Sequence, residues 1–251
     1  MPSNDSSGTV TAGLAWTGAG LALVCALIAA SSGLGYQMGV WHFRTGFTIL
    51  RWSVYVAAGA GVIALVAFAL AAIRRAGVQV AISAAGVAIA IALVLPAWNL
   101  QRTASQVPRI HDITTDTVNP PQFVALLPVR QKAPNGAAYG GAKIAEAQKA
   151  AYPDIKPALL KLAPAQAFQR ALAEARDLGW EIVAAEQAQG RIEATATTFW
   201  FRFRDDVVIR IVPHGDGSRL DIRSMSRVGR SDLGANAKRI RVFLKHLQSG
   251  A

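Results

Sequence analysis

The chain has 251 residues, 52% hydrophobic and only 16% charged, with 26 lysines and arginines against 15 acids for a net charge of +11. A single cysteine, Cys25, excludes an internal disulfide and a zinc site built on cysteines. Residues 1–100 carry four basic side chains and one acid, Asp5, while residues 101–251 carry the other 22 and 14, so the first part reads as membrane and the second as a water-soluble domain.

After a polar tail at residues 1–10, residues 11–34 form an uncharged run long enough to span a bilayer. No basic region precedes it, so the reading is a retained helix and not a cleaved export signal. Gly18, Ala22, Ala26, Ala29 and Ala30 give it a narrow surface for helix packing. A loop with Tyr36, Trp41, His42, Phe43 and Arg44 has the composition of a membrane interface, and His42 has no second metal ligand near it. From Trp52 to Trp98 the only charges are Arg74 and Arg75, which cannot sit at the bilayer centre. They divide the stretch into two spans, residues 52–73 and 76–98, with Pro96 in the last turn of the third. No acid lies inside a span, which argues against a proton or cation pathway. Counting arginines on each side (Arg74 and Arg75 against Arg44, Arg51, Arg102 and Arg109) would place the C-terminal domain in the cytoplasm.

Residues 101–141 read as an extended, proline-rich linker and loop, with residues 108–123 wrapping the domain that follows. Residues 142–251 are expected to fold as that domain. A short helix at 142–151 precedes a strand near Ala158. Pro164 opens a helix with Phe168, Ala171, Leu172 and Ala175 as its buried stripe, ended by Gly179. Strands follow at 180–186 and 190–198, with a bend near Thr198 where the aromatic parity changes. Strands at 207–212 and 219–226 flank a Pro-His-Gly-Asp-Gly-Ser turn. Pairing Pro213 with Ser218 sets Ile211 against Leu220, Ile209 against Ile222, and Arg210 against Asp221 on the opposite face. Ser231 and Asp232 then begin a helix whose stripe is Leu233, Ala237, Ile240, Leu244 and Leu247, its basic face (Lys238, Arg239, Arg241, Lys245) outward. The expected fold is therefore three transmembrane helices followed by a two-layer α+β domain with a mainly antiparallel sheet.

The segment Thr197-Thr198-Phe199-Trp200-Phe201-Arg202-Phe203-Arg204-Asp205-Asp206 and the run Arg223-Ser224-Met225-Ser226-Arg227-Val228-Gly229-Arg230-Ser231-Asp232-Leu233-Gly234-Ala235-Asn236 carry a resemblance. With the upstream His111-Asp112-Ile113-Thr114-Thr115-Asp116 and Pro120-Pro121-Gln122-Phe123, the stretch of about 108–248 resembles an uncharacterised family, domain of unknown function 1499. The resemblance implies no activity. Its members often follow an export signal or membrane segment, which implies a domain outside the cytoplasm, against the arginine count. The expected location is accordingly a bacterial inner membrane, multi-pass, with the C-terminal domain periplasmic.

Four groupings invite a chemical reading. His111, Asp112 and Asp116 have the ligand types of a metal-dependent hydrolase, though two carboxylates and an imidazole in one loop are common by chance. Ser231 lacks the Gly-x-Ser-x-Gly elbow of a nucleophile and reads as a cap; Asp205-Asp206 reads as a turn. Arg223, Arg227 and Arg230 beside Ser231 form the better candidate, for an anion or partner, unless they pair internally with Asp112, Asp116 or Asp232. The expectation is a non-catalytic binding or assembly module for an envelope protein, an anionic ligand or a second copy of the chain. No catalytic residue, metal or cofactor is assigned. Residues 202–245 hold eleven lysines and arginines against five acids, but without a reader motif, so no nucleic-acid partner is expected.

Overall fold

The structure, a computed structural model, describes residues 6–249; residues 1–5 of the polar tail expected at the N-terminus lie outside them, and residues 6–10 are helical instead. The chain divides into two compact units, Met1–Arg102 and Thr103–Ala251.

The first unit is built from α1 (Ser6–Gln37), α2 (Phe43–Ile73) and α3 (Gly77–Gln106), whose end from Thr103 on falls in the second unit. Each is long and apolar enough to cross a membrane. All three outrun the apolar spans read from the sequence, because a helix can continue once it has left lipid. α2 starts at Phe43, where His42 accepts the Arg44 N–H through Nδ1 at 3.3 Å. α3 runs ten residues past Pro96, which therefore lies inside the helix instead of in its last turn. The unit sorts its side chains by size. Ala15, Ala22, Cys25, Ala57, Ala60, Ala64, Ala67, Ser83 and Ala90 are buried, while Trp16, Leu27, Val62, Leu65, Ile91 and Trp98 face outward. A water-soluble bundle does the reverse. In lipid there is no gain in hiding leucine, and close backbone approach supplies the packing. A Cβ on Gly18 would lie 2.7 Å from the Ala64 nitrogen, and one on Gly86 would lie 2.9 Å from the Ala19 Cα.

The second unit centres on an antiparallel sheet of β1 (Asp112–Thr114), β2 (Ala158–Leu160), β3 (Glu181–Glu186), β4 (Arg191–Thr197), β5 (Arg204–His214) and β6 (Gly217–Ser226). The order is β1-β6-β5-β4-β3, and β2 pairs with β6 further along the edge that β1 shares. The β5–β6 register is the expected one: Pro213 faces Ser218, Ile211 faces Leu220, Ile209 faces Ile222 and Arg210 faces Asp221. Gly190 (φ +60) turns the chain into β4 and lies so close to Ile211 that a Cβ there would sit 2.1 Å from its carbonyl oxygen.

One face of the sheet packs on α6 (Pro164–Asp177) and α7 (Ala235–Ser249). Ile192, Ala194, Val207, Ile209, Leu220 and Ile222 meet Phe168, Leu172, Ile240, Phe243 and Leu247 there, and Trp180 stacks on Phe243 at 5.4 Å. α7 begins at Ala235, three residues later than a Ser231 cap implies. Leu233 (φ +55) and Gly234 (φ +81) make a left-handed turn, and Asp232 accepts the N–H groups of Gly234 and Asn236, both at 2.9 Å. Asp232, not Ser231, thus satisfies the first turn. Leu233 falls out of the buried stripe, which Phe243 joins, and Arg239 turns inward to Asp205 at 2.6 Å.

Two features had no sequence signal. β1 is a three-residue strand, pinned on its outer side by Gln148 of α5 (Gly141–Ala151), which receives the Thr114 N–H at 3.0 Å and donates to its carbonyl at 2.7 Å. The loop beyond it holds a one-turn helix, α4 (Leu127–Gln131).

Candidate functional site

Alternation along the strands places Glu193 and Thr195 of β4, Asp206 and Arg210 of β5, and Asp221, Arg223 and Met225 of β6 on the face away from α6 and α7. Such a charged face would ordinarily be solvated. Here Glu193, Asp206, Asp221 and Arg223 are all 0% exposed. Residues 115–137 lie across them, with Phe123 and Leu126 packed on Val208 and Met225. Charges covered in this way are tolerated only when paired and hydrogen-bonded.

The pairing is dense. Glu193 accepts the N–H groups of Val124, Ala125 and Leu126 at 3.0, 2.9 and 2.8 Å and pairs with Arg191. It thereby serves the free donors ahead of α4. Arg130 of α4, fully buried, donates to Asp206 at 2.8 Å and to the carbonyls of Gly136 and Met225, its guanidinium 4.8 Å from the Phe123 ring centre. Burial lowers its pKa, opposed by the Asp206 charge. Arg227 closes on the same carboxylate at 2.8 and 2.9 Å, and Thr195 donates to it at 2.9 Å. Asp205-Asp206 is therefore not a turn: both residues lie in β5 and their carboxylates serve opposite faces.

Arg223 grips both oxygens of Asp112 at 2.9 and 2.8 Å and donates to the carbonyls of Pro121 and Ala137. Its guanidinium stands 5.1 Å from the Phe123 ring centre and 5.6 Å from that of Tyr139. Burial, reinforced by the Asp112 charge, pushes the Tyr139 hydroxyl up to about 12. Asp116 bridges Arg210 and Arg219, both at 3.0 Å, and Asp221 bridges the same two arginines. Burial alone would raise the Asp116 pKa, but the N–H groups of Asn119 and Val118 and the charges of Arg219 and Arg210 together bring it below the ordinary value. Asp232 goes the other way, raised by burial despite the two N–H groups it accepts.

The seven residues singled out from the sequence do not converge. Arg223 with Asp112, and Asp116 with its arginines, are internal pairs. Arg227 is committed to Asp206. The main chain of His111 is tied down, its carbonyl accepting from Ser226 and Asn236, and neighbouring residues of extended chain point to opposite faces, which parts it from Asp112. Arg230 is exposed and Ser231 half-buried. Among the described residues no three His, Cys, Asp or Glu side chains are grouped to hold a metal ion. A groove of about 380 Å³ lies between α1 and α2, but its lining (Leu21, Val24, Cys25, Ile28, Trp52 and neighbours) carries no ionisable pair for chemistry.

Sequence reasoning missed Arg130, Glu193 and Tyr139, because nothing local distinguishes a roofed charge from a solvated one. The Arg210–Asp221 pair was legible, since it follows from register alone. No curated protein matches the chain. The model of a family described as "Protein of unknown function (DUF1499)" matches residues 112–247, more than half of the chain and the whole of the sheet with its roof, so the chain belongs to the DUF1499 family.

Proposed function

We propose that this protein is a multi-pass anchor in a bacterial inner membrane whose α+β domain acts as a non-catalytic binding or assembly module for a cell-envelope partner or an anionic ligand. The observation that carries the reading is the mutual saturation of the buried charges. Asp112, Asp116, Asp206 and Asp221 each face arginine at 3.1 Å or less, so each is already engaged within the fold. A layer of this kind holds a surface in shape, which is what a binding module requires. Of the anion-binding candidates, Arg230 and Ser231 remain within reach of a ligand, at the loop between β6 and α7. Among the described residues no carboxylate pairs with Arg230. The domain is assigned to the periplasmic side, following the habit of the family over the arginine count.

Site-specific photocrosslinking in cells tests this. A photoreactive residue at Arg230 should give a discrete adduct, and one at Asp216, in the turn at the opposite end of the sheet, should not. Equal labelling at both positions would remove the support for a site there. Hydrolysis by the purified full chain that His111→Ala abolishes would replace the reading with the hydrolase considered above.

A further inference from the structure

The β4–β5 connection, residues 198–203, is built unlike the other turns of the sheet. Its base is closed by two bonds, from the Thr198 N–H to the Phe203 carbonyl and from the Phe203 N–H to the Thr198 hydroxyl, both at 2.8 Å. Phe201 turns inward, 6% exposed, and stacks on Phe203 at 5.4 Å with the rings 7° from parallel. Arg202 takes a left-handed φ of +52 to complete the turn. The internal packing leaves Phe199 86% exposed beside Trp200 at 44%, with their ring centres 6.5 Å apart. Arg202 and Arg204 flank them, both exposed, and among the described residues no carboxylate pairs with either.

The position of this tip in the fold gives it meaning. β5 begins and β6 ends here, where the Arg227 N–H meets the Arg204 carbonyl. The segment arriving from the membrane helices enters the domain at the same end: the Ser226 N–H bonds the His111 carbonyl and the Asp232 N–H bonds the Ile110 carbonyl. Exposed Arg230 lies on the neighbouring loop. Only residues 107–111 separate α3 from β1. The opposite end, with the His214–Gly217 turn, carries no comparable aromatic pair.

We infer that residues 199–204 form a membrane-contacting tip, in which Phe199 and Trp200 enter the headgroup region of the bilayer while Arg202 and Arg204 meet anionic lipid. Aromatic side chains prefer that interface, and basic side chains close to it are attracted by acidic headgroups. A water-facing domain gains nothing from two adjacent aromatics at a hairpin tip. The occupant is lipid, whatever partner the domain binds.

The test uses the full chain in nanodiscs, with Cys25→Ala to remove the native thiol and a nitrobenzoxadiazole label on Phe199→Cys or, as control, on Asp216→Cys. In discs containing phosphatidylglycerol the label on Phe199→Cys should show blue-shifted emission and lose intensity to doxyl-labelled lipid, and the label on Asp216→Cys should do neither. Adding Arg202→Gln and Arg204→Gln should reduce the quenching. Because position 199 is on the surface, the label does not endanger folding. Water-like emission from both labels overturns the inference. So does a blue shift seen in native membranes but not in lipid-only discs, which would make the occupant a protein.

Discussion

Arg223→Ala tests whether the second face of the sheet is as dry as it looks. The change removes a guanidinium held by both oxygens of Asp112 and by the Pro121 and Ala137 carbonyls. The carboxylate left behind is 3% exposed, and Arg130 beside it is committed to Asp206. Breaking a buried pair from one side costs about 3–5 kcal/mol, because the surviving charge has lost its water and its partner. That is a large share of the 5–15 kcal/mol, roughly, that holds an ordinary domain together. With a urea dependence of about 2 kcal/mol per molar, the midpoint should fall by about 2 M. Arg230→Ala, at an exposed arginine in the loop after β6, should move it by no more than the roughly 0.5 kcal/mol typical of surface changes. Replacing both partners, Asp112→Leu with Arg223→Met, should recover most of the loss, since neither charge is then stranded. Pulse proteolysis of the full chain in nanodiscs across a urea series reads all three. If Arg223→Ala and Arg230→Ala shift the midpoint equally, water reaches Asp112 and the loop over the sheet is not a seal.

Two further predictions address other parts of the molecule. Asp116 binds its proton less tightly folded than unfolded, so its contribution to stability is present above the unfolded value of about 3.9 and is lost as pH falls through the lower folded value. Asp116→Asn should therefore flatten the acid limb of a stability–pH curve, with a residual slope left by Asp154, whose pKa its hydrogen bonds from Arg241 also lower; an unchanged slope would refute the assignment. In the membrane unit Gly18→Ile should lower the thermal midpoint of the detergent-solubilised chain, because its Cβ would meet the Ala64 backbone. Gly20→Ile should not, since nothing lies within 4 Å of a Cβ there, and equal effects would mean that the helices do not pack through Gly18.

Local order was legible in the order of residues alone. Uninterrupted apolar length named the three helices, and a pair of arginines marked the turn between the second and third. Period and parity fixed the β5–β6 register down to Arg210 against Asp221, because a slip of one residue would turn Ile209, Ile211, Leu220 and Ile222 to the wrong side. Which charged face is covered depends instead on contacts between distant parts of the chain. Glu193, Asp206 and Arg223 sit at positions that alternation alone assigns to water, and each is dry because residues 115–137, distant in sequence, close over them. Burial of a charge is a property of what lies above it, and long-range chain closure has no period to read. The same limit explains why Arg223 and Arg227 look like an open anion site in the sequence and are already held in the fold by Asp112 and Asp206.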